Sequence, residues 1–331
     1  MRARAELIED RGEAALAADF FRSRPFLDAE GATHTLRIEV DAAAAPAGRG
    51  AGERPDRWEL VAPLLVRPIP GSGERDAISP YGYPGIVPAG ERGGAVEPAE
   101  PLDPARIDWS ATGLVSVFVR HRLGPSPLAG ATERNVVQIA DPALPRKSRP
   151  SDRRQVRRNE EAGYRLALVP GAETTAAQRA GFRDVYEQTM RRTGAAPHYF
   201  FAPAYFDRVL EADRIWLLLA TAPGGELAAA SIAAASDGYL HYYLSGTADS
   251  RLREAPMKSV VTRLAEHAAE LDLPLNLGGG IRPGDALEEF KRGFANRTET
   301  WLTSELICDE EKYERLSASK PTGPFFPRYR A

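Results

Sequence analysis

The stretch that decides the fold opens with GYLHYYLS at 238–245 and later contains LNLGGG at 275–280. Successive side chains of a strand point to opposite faces, so the first segment predicts one apolar face for a core and one polar aromatic face for a ligand. The residues of the predicted ligand face are Tyr239, His241 and Tyr243. Apolar residues then recur at helical spacing from Met257 to Leu271, which predicts a core-facing helix of about four turns. A short strand at 273–277 would complete a strand, helix, strand crossover.

A glycine turn and a short helix close this stretch. The three glycines at 278–280 lack a Cβ, so they permit positive φ or the close approach of a ligand. Asp285 followed three residues later by Glu288 is typical of a capping box. It predicts a helix over 286–292, which Gly293 would end.

LGGG at 277–280 followed by EFKRGF at 289–294 resembles the C-terminal signature of the FemABX family of aminoacyl transferases. The resemblance implies an α+β (mixed α/β) chain of two tandem GNAT-like domains, the fold of acyl-CoA N-acyltransferases. It also implies that Phe290 stacks on the terminal nucleotide of an aminoacyl-tRNA. Lys291 would then contact the terminal phosphate or the oxyanion. The alternative for Lys291 is an ordinary helix lysine that faces solvent.

Length and composition fit two globular domains. The chain has 331 residues, and domains of about 150 residues are common. Its 43% hydrophobic and 27% charged residues exclude disorder of the whole chain. The single cysteine, Cys308, excludes an internal disulfide and a cysteine-rich metal site. Neither an apolar leader nor an apolar run of about 18 residues is present, so we expect a cytoplasmic protein with no integral membrane partner.

The sequence suggests where the domains begin and end. The expected parts are a GNAT-like domain at 1–148, a GNAT-like domain with the donor site at 149–315, and a tail at 316–331 that is an arm or a disordered end. Within the first domain, apolar spacing predicts a helix over 13–21. Alternating residues at 35–40 and 58–66 predict a hairpin whose loop includes 46–55.

SPYGYPG at 79–85 is too rich in glycine and proline for regular structure. In the FemABX family a loop of this kind lies beside the acceptor substrate, so the resemblance assigns Tyr81 and Tyr83 to acceptor binding. The alternative is a packed aromatic turn. Under the same resemblance, His241 or Tyr243 lines the path to the reacting carbonyl. The freedom of Gly279 and Gly280 to approach a ligand makes them substrate-binding candidates.

A basic segment joins the two halves of the chain. Seven cationic residues fall within the thirteen positions 146–158, namely Arg146, Lys147, Arg149, Arg153, Arg154, Arg157 and Arg158. Such a density of charge attracts phosphate at ordinary salt. With Ser151 as the candidate N-cap of a helix, spacing by four places the last four arginines on two ridges. The alternative is a solvated helix neutralised by acidic neighbours.

The loop at 247–256 bears on the choice of donor. GNAT enzymes bind the pyrophosphate of coenzyme A at the start of the helix after their fourth strand, through backbone N–H groups and the helix dipole. The loop has no glycine, and Pro256 removes one N–H group. Coenzyme A is therefore disfavoured, although Arg251 and Arg253 are candidates to hold phosphate through their side chains.

We therefore expect an acyltransferase that moves an amino acid from aminoacyl-tRNA to the amine of a peptidoglycan precursor or a natural-product intermediate. The ester is already activated, so proximity and oxyanion stabilisation suffice without a cofactor or a metal. The expected partners are aminoacyl-tRNA and the amine acceptor, and the net charge of −3 argues against a general DNA binder. The alternatives are an acyl-CoA-dependent N-acyltransferase and, third, a non-catalytic relative that binds tRNA or another ligand.

Overall fold

The computed structural model describes residues 2–41, 57–89 and 100–331, so the predicted loop at 46–55 lies outside the described residues. The strands are β1 (Arg2–Ile8), β2 (His34–Asp41), β3 (Arg57–Pro68), β4 (Arg75–Ile78), β5 (Val87–Pro88), β6 (Ile107–Asp108), β7 (Ser116–Arg120), β8 (Thr132–Ala140), β9 (Arg165–Pro170), β10 (Ile215–Thr221), β11 (Leu227–Ser236), β12 (Tyr239–Thr247), β13 (Leu275–Gly278) and β14 (Arg297–Ile307). The α-helices are α1 (Arg24–Glu30), α2 (Pro150–Glu161), α3 (Ala176–Thr193), α4 (Pro203–Val209), α5 (Met257–Glu270), α6 (Ala286–Arg292) and α7 (Glu310–Ser317). None of the helices in the described ranges is long and apolar enough to cross a membrane.

The chain forms two compact units, each made of separate stretches. Unit 1 contains the described residues of 1–17, 30–134 and 301–331, and unit 2 contains 18–29 and 135–300. The expected boundaries 1–148, 149–315 and 316–331 are boundaries of GNAT-like domains, whereas the two units are defined by the contacts within each of them. Those boundaries therefore stay a prediction.

Unit 1 is built on a mixed sheet in the order β6-β1-β2-β3-β4-β7-β14. The predicted hairpin is confirmed, because β2 and β3 pair antiparallel with Leu36 opposite Ala62. Leu36, Leu60 and Val117 belong to its buried core. At the C-terminal end of the chain, Tyr329 is buried and Arg330 forms an ion pair with Asp76, so the last residues lie as an arm on this unit.

The strands of unit 2 pair in the order β8-β13-β12-β11-β10-β9. Strands β9 to β12 pair antiparallel, whereas β12 and β13 are parallel. Helix α5 connects β12 to β13 and packs against Leu218, Leu240 and Leu275, which confirms the predicted crossover. Helix α3 packs against the opposite face, where a Cβ on Gly246 would lie 2.4 Å from the backbone of Val185.

The helix predicted over 13–21 is wrong. Residues 13–15 and 20–22 form single 3-10 turns, and the first α-helix begins at Arg24. Phe20 and Phe21 are fully buried in unit 2, and the buried guanidinium of Arg22 lies between Asp19 and Asp237. Burial of these side chains decides the local conformation, so the apolar spacing that predicted a helix reflects tertiary packing.

The predicted N-cap at Ser151 is also wrong. Helix α2 begins at Pro150, and Arg149 occupies the N-cap position without a side-chain cap. Proline suits the first helical position because its fixed φ matches the helix and its missing N–H has no partner there. Ser151 is therefore already inside the first turn.

Candidate functional site

The glycine turn between β13 and α6 is held by three side chains. Lys291 of α6 donates from Nζ to the carbonyl oxygen of Gly279 at 2.6 Å. Asn135 of β8 donates from Nδ2 to the carbonyl oxygen of Gly280 at 3.0 Å. The carboxylate of Asp285 accepts from the two peptide N–H groups that follow the turn, at 2.7 and 2.9 Å. The structure thus brings Lys291 together with both glycines predicted to bind substrate.

The turn requires glycine for identifiable reasons. Gly278 has φ +74°, a conformation that residues with a side chain rarely adopt. A Cβ on Gly279 would lie 2.4 Å from Nδ2 of Asn135, and a Cβ on Gly280 would lie 2.5 Å from Oδ1 of Asp285. Side chains therefore approach the turn closely enough to exclude even a methyl group.

Helix α6 spans the predicted residues 286–292. The hydrogen bonds at its start differ from those of a capping box, and its end differs from the usual left-handed glycine cap. Asp285 accepts from the N–H of Glu288 at 2.8 Å, as predicted. The carboxylate of Glu288 accepts from the N–H of Gly284 at 2.7 Å rather than from that of the N-cap residue. Gly293 ends the helix without left-handed backbone, and a Cβ there would lie 2.9 Å from the carboxylate of Asp152. Close packing, not φ, therefore requires this glycine.

Lys291 is buried, so the alternative of a solvent-facing lysine is wrong. Its side chain is only 8% exposed, and its Nζ lies 3.2 Å from where a Cβ on Gly278 would be. Burial disfavours the charged amine and lowers the pKa of Lys291 to about 8, while the nearby charge of Asp285 opposes the shift. The amine therefore titrates close to neutral pH.

Phe290 has one side committed to packing. Its ring lies 5.4 Å from that of Phe294 in an edge arrangement, and it packs against the core cluster that contains α5. The side chain remains partly exposed. Its predicted contact with a terminal nucleotide stays a prediction.

The ring of His241 is enclosed. The Nδ1 atom of His241 accepts from the amide of Asn276 at 3.0 Å, and Nε2 donates to the carbonyl of Ser236 at 3.2 Å. Burial lowers the pKa of His241 to about 4, so the ring is neutral at pH 7. These contacts fit a structural histidine, and its predicted contact with substrate stays untested.

Tyr243 lies at a β-bulge, where Ile232 pairs with Leu244 and Ala233 pairs with Tyr242. Its hydroxyl lies 2.5 Å from that of Tyr205. Its ring also contacts three phenylalanines of the segment 18–29, at centroid distances of 5.3, 5.7 and 6.3 Å. The face predicted for a ligand is therefore covered by aromatic side chains. The aromatic residues of the segment 18–29 are the sequence signal for this cover, but their spacing does not indicate which strand they contact.

Tyr81 and Tyr83 belong to unit 1, in the irregular loop at 79–85. The peptide N–H of Tyr81 donates to the carboxylate of Glu30 at 2.7 Å. The ring of Tyr83 lies 5.6 Å from that of Trp301. Both tyrosines are half-buried, which fits the packed turn and leaves part of each ring exposed. Their role in acceptor binding stays a prediction.

The basic segment is neutralised only in part. Arg146 pairs with Glu266 at 3.5 Å, and Arg149 pairs with Glu289. On the first ridge, Arg157 lies 3.8 Å from the carboxylate of Glu161, and Arg153 donates to a backbone carbonyl. On the second ridge, Arg154 and Arg158 are exposed and pair with no carboxylate within 2–41, 57–89 and 100–331. The second ridge therefore offers the stronger phosphate site.

Helix α2 lies across the start of α5. Gln155 donates to the carbonyl oxygen of Glu254 at 3.0 Å. Asn159 donates to the hydroxyl of Ser259 at 3.2 Å. The buried carboxylate of Asp152 lies 2.8 Å from Nζ of Lys258. Polar side chains of α2 thus contact the start of α5, the helix that follows β12.

The two arginines proposed for the loop at 247–256 differ. The guanidinium of Arg251 contacts the carboxylates of Glu226 and Glu254, so its charge is already compensated. Arg253 is exposed on the same 3-10 turn. Only Arg253 therefore keeps an uncompensated charge for a phosphate.

Comparison with known proteins identifies the fold. Residues 146–292 match the sequence profile of the acetyltransferase (GNAT) domain family, and no curated protein sequence is detectably similar to the chain. The solved structure of FemX is similar with a TM-score of 0.60 and 11% identity, over 94% of this chain and 99% of FemX. A conserved protein of unknown function from Bacteroides thetaiotaomicron VPI-5482 gives a TM-score of 0.50 and 10% identity, over 88% of this chain and 92% of its own. For L-PGS from Bacillus licheniformis the TM-score is 0.49 and the identity 12%, over 76% of this chain and 82% of its own.

These comparisons bear on the predicted fold class. The match over 146–292 shows a GNAT domain in the second half of the chain. The likeness to FemX covers nearly the whole length of both proteins. The chain therefore has the mixed α/β, tandem GNAT-like fold of FemX and contains a GNAT domain, which confirms the predicted resemblance to the FemABX family at the level of the fold.

Proposed function

We propose that this chain is a cytoplasmic aminoacyltransferase that moves an amino acid from aminoacyl-tRNA to the amine of an acceptor. The observation that carries the proposal is the contact of α2 with the start of α5, which obstructs the place where a GNAT enzyme binds coenzyme A. The same unit also contains the buried Lys291, which holds the glycine turn between β13 and α6. The donor site is assigned to this lysine and turn.

The start of α5 is poorly suited to pyrophosphate. A helix start binds phosphate through free N–H groups and the positive end of its dipole. Here the N–H groups of Lys258 and Ser259 already donate to the carbonyls of Ala255 and Pro256 at 3.0 Å. The ammonium of Lys258 is paired with the buried carboxylate of Asp152, so its charge is already compensated and is not free for a pyrophosphate.

Transfer from an aminoacyl ester makes modest chemical demands. An amine attacks the ester carbonyl, and negative charge develops on the carbonyl oxygen. In a site of low dielectric, the ammonium of Lys291 on the Gly279 carbonyl favours that charge through the peptide that it holds, and it does so more strongly than it would in water. The exposed ridge of Arg154 and Arg158 supplies contacts for the phosphates of tRNA. Phe290 is proposed to contact the terminal nucleotide with its exposed part.

The acceptor is proposed to be an amine of a peptidoglycan precursor or of a natural-product intermediate. Tyr81 and Tyr83, each half-buried, present part of a ring and a hydroxyl from an irregular loop. Such rings can cover an extended substrate and fix it by hydrogen bonds. Their assignment to the acceptor follows from the resemblance to the FemABX family.

Binding of tRNA at several salt concentrations tests the donor. Arg154→Gln combined with Arg158→Gln is expected to lower the slope of log Kd against log salt by about 1.5, because two phosphate contacts are lost. The control variant combines Arg183→Gln with Arg191→Gln, which removes the same charge from α3 on the opposite face of the sheet. An equal change of slope in both variants would contradict the assignment of the α2 ridge.

An acyl-CoA-dependent N-acyltransferase remains the second candidate, because residues 146–292 match the acetyltransferase domain family. Calorimetric titration with acetyl-coenzyme A separates the two donors. We expect no saturable heat, since the start of α5 is occupied. Saturable binding would instead support coenzyme A at that helix start. A non-catalytic tRNA binder, the third candidate, would transfer no amino acid, and its affinity for tRNA would be the same in Lys291→Met as in the unaltered chain.

A further inference from the structure

Two successive peptide N–H groups of the glycine turn have no acceptor. The N–H groups on either side of them do have acceptors. The N–H of Gly278 donates to the side chain of Asn276 at 2.8 Å, and the N–H of Ile281 donates to the carboxylate of Asp285 at 2.7 Å. The N–H groups of Gly279 and Gly280 find no hydrogen-bond acceptor in the parts of the chain that the structure describes. Both glycines are partly exposed, so a ligand can reach these donors.

The carbonyl groups of the same turn are fixed from the other side. In a trans peptide the N–H points opposite to the C=O. Lys291 holds the carbonyl of the peptide between Gly279 and Gly280, so the Gly280 N–H is directed away from the lysine. Asn135 holds the next carbonyl. Lys291 thus fixes the peptide that carries the Gly280 N–H through a charge-assisted hydrogen bond. Asn135 fixes the peptide that follows Gly280, whose own N–H belongs to Ile281 and bonds Asp285.

We infer that the N–H groups of Gly279 and Gly280 form an oxyanion hole for the aminoacyl ester, that Lys291 is a positioning residue for the Gly280 donor, and that Asn135 is a positioning residue that fixes Gly280 from its carbonyl side. The inference rests on the proposed function. Donors that are fixed before the reaction and aimed at the developing charge contribute the largest electrostatic stabilisation in acyl transfer. The Gly280 donor meets the first of these conditions through the contact of Lys291 with its peptide.

The transfer step can be written in full. The acceptor nitrogen attacks the ester carbon, a C–N bond forms, and the carbonyl electron pair moves to the oxygen, which accepts from Gly279 and Gly280. The pair then returns, and the bond from carbon to the ribose oxygen breaks. The ribose oxygen takes the proton that the acceptor nitrogen loses, so the products are an amide and a tRNA with a free terminal hydroxyl.

Lys291 acts on these donors through the peptide that it holds. An ammonium on a peptide carbonyl polarises the whole amide, so the N–H on the other side becomes a stronger donor. Loss of the lysine therefore weakens the Gly280 donor even if the turn keeps its shape. Loss of Asn135 instead leaves the charge in place and frees the carbonyl side of Gly280, so that the residue carrying the second donor is held less firmly.

The crowding at Gly279 gives a sharp genetic test. A methyl group there would lie 2.4 to 2.6 Å from the side-chain amide of Asn135. Asn135→Ala is expected to lower kcat about tenfold with little change in KM for aminoacyl-tRNA. Gly279→Ala alone is expected to lower kcat further, and the pair together is expected to return to the level of Asn135→Ala, because the amide no longer opposes the methyl group.

The control is Asn296→Ala, which removes another asparagine of unit 2 that bonds backbone, here that of Asp141. It is expected to leave kcat unchanged. An Asn135→Ala variant with unaltered kcat would overturn the positioning role. Independent, additive losses from Asn135→Ala and Gly279→Ala would do the same.

Amide resonances separate this inference from the proposed function. The full chain, labelled with 15N-glycine, is titrated with an aminoalkylphosphonate ester of adenosine, a stable mimic of the tetrahedral intermediate. We expect the amide protons of Gly279 and Gly280 to move downfield, whereas Gly284, whose N–H already bonds Glu288, stays in place. Binding of the probe without these shifts would refute the oxyanion hole and leave the proposed function standing. No binding of the probe at all would count against the proposed function itself.

Discussion

Replacing Lys291 by methionine should change how the stability of the chain depends on pH. The lysine is 8% exposed, and burial lowers its pKa to about 8 from 10.5. Between these two values the unfolded chain binds the proton more tightly than the folded chain does. The resulting cost to stability is therefore fully present below pH 8 and disappears as the pH rises towards 10.5.

The size of the effect follows from the two pKa values. Their difference corresponds to about 3 kcal/mol, of which about 2.5 kcal/mol is relieved between pH 7 and pH 10. Methionine fills a similar volume without a charge, and it loses the bond to Gly279, worth about 1 kcal/mol, at both pH values. Relative to the unaltered chain, Lys291→Met is therefore expected to be more stable by about 2 kcal/mol at pH 7 and about equally stable at pH 10.

Urea unfolding followed by tryptophan fluorescence at pH 7 and pH 10 measures this difference. The exposed Lys147→Met variant is the control for removing a lysine from the surface. A stability difference for Lys291→Met that is the same at both pH values would refute the burial of the amine. Lys291 would then not lie in a site of low dielectric, and its charge would have no enhanced effect on the oxyanion.

Three further outcomes are expected. First, with saturating acceptor, kcat should fall as the pH rises through about 8, because Lys291 loses its proton, and pH-rate profiles should lack this limb in Lys291→Met. Second, Asp285→Ala should destabilise the start of α6 by about 1 to 2 kcal/mol, and hydrogen exchange of the 281–288 amides should quicken; unchanged exchange would contradict the cap. Third, Arg330→Ala should lower the free energy of unfolding by about 1 to 3 kcal/mol, because it leaves the buried Asp76 with fewer partners. Equal losses in urea unfolding from Arg330→Ala and from Arg328→Ala, whose partner carboxylate is exposed, would contradict an anchored arm.

Much of unit 2 could be predicted from local sequence signals. Alternation predicted β12, and helical spacing predicted α5. The aspartate before α6 and the glycine after it predicted the two ends of that helix. These signals are local because each depends on residues a few positions apart. The glycine turn was also visible, since glycine is the residue that allows close approach of other groups.

The contacts that define the site were not visible. Asn135 and Gly280 are 145 positions apart, and no periodicity links them. The burial of Lys291 depends on where α6 packs, and the cover of Tyr243 depends on a segment more than two hundred positions earlier in the chain. In each case tertiary packing joins residues whose local sequence predicts nothing about one another.

Transfer from the donor is the most direct measurement of the central claim. The purified chain is incubated with a bulk pool of radiolabelled aminoacyl-tRNA, with acceptor amines and with acetyl-coenzyme A as a competing donor. We expect the label to leave the tRNA and to appear in an amide of the acceptor, while acetyl-coenzyme A is not consumed. In Lys291→Met we expect the same transfer to be much slower. Acetyl transfer from coenzyme A while the tRNA stays charged would contradict the central claim.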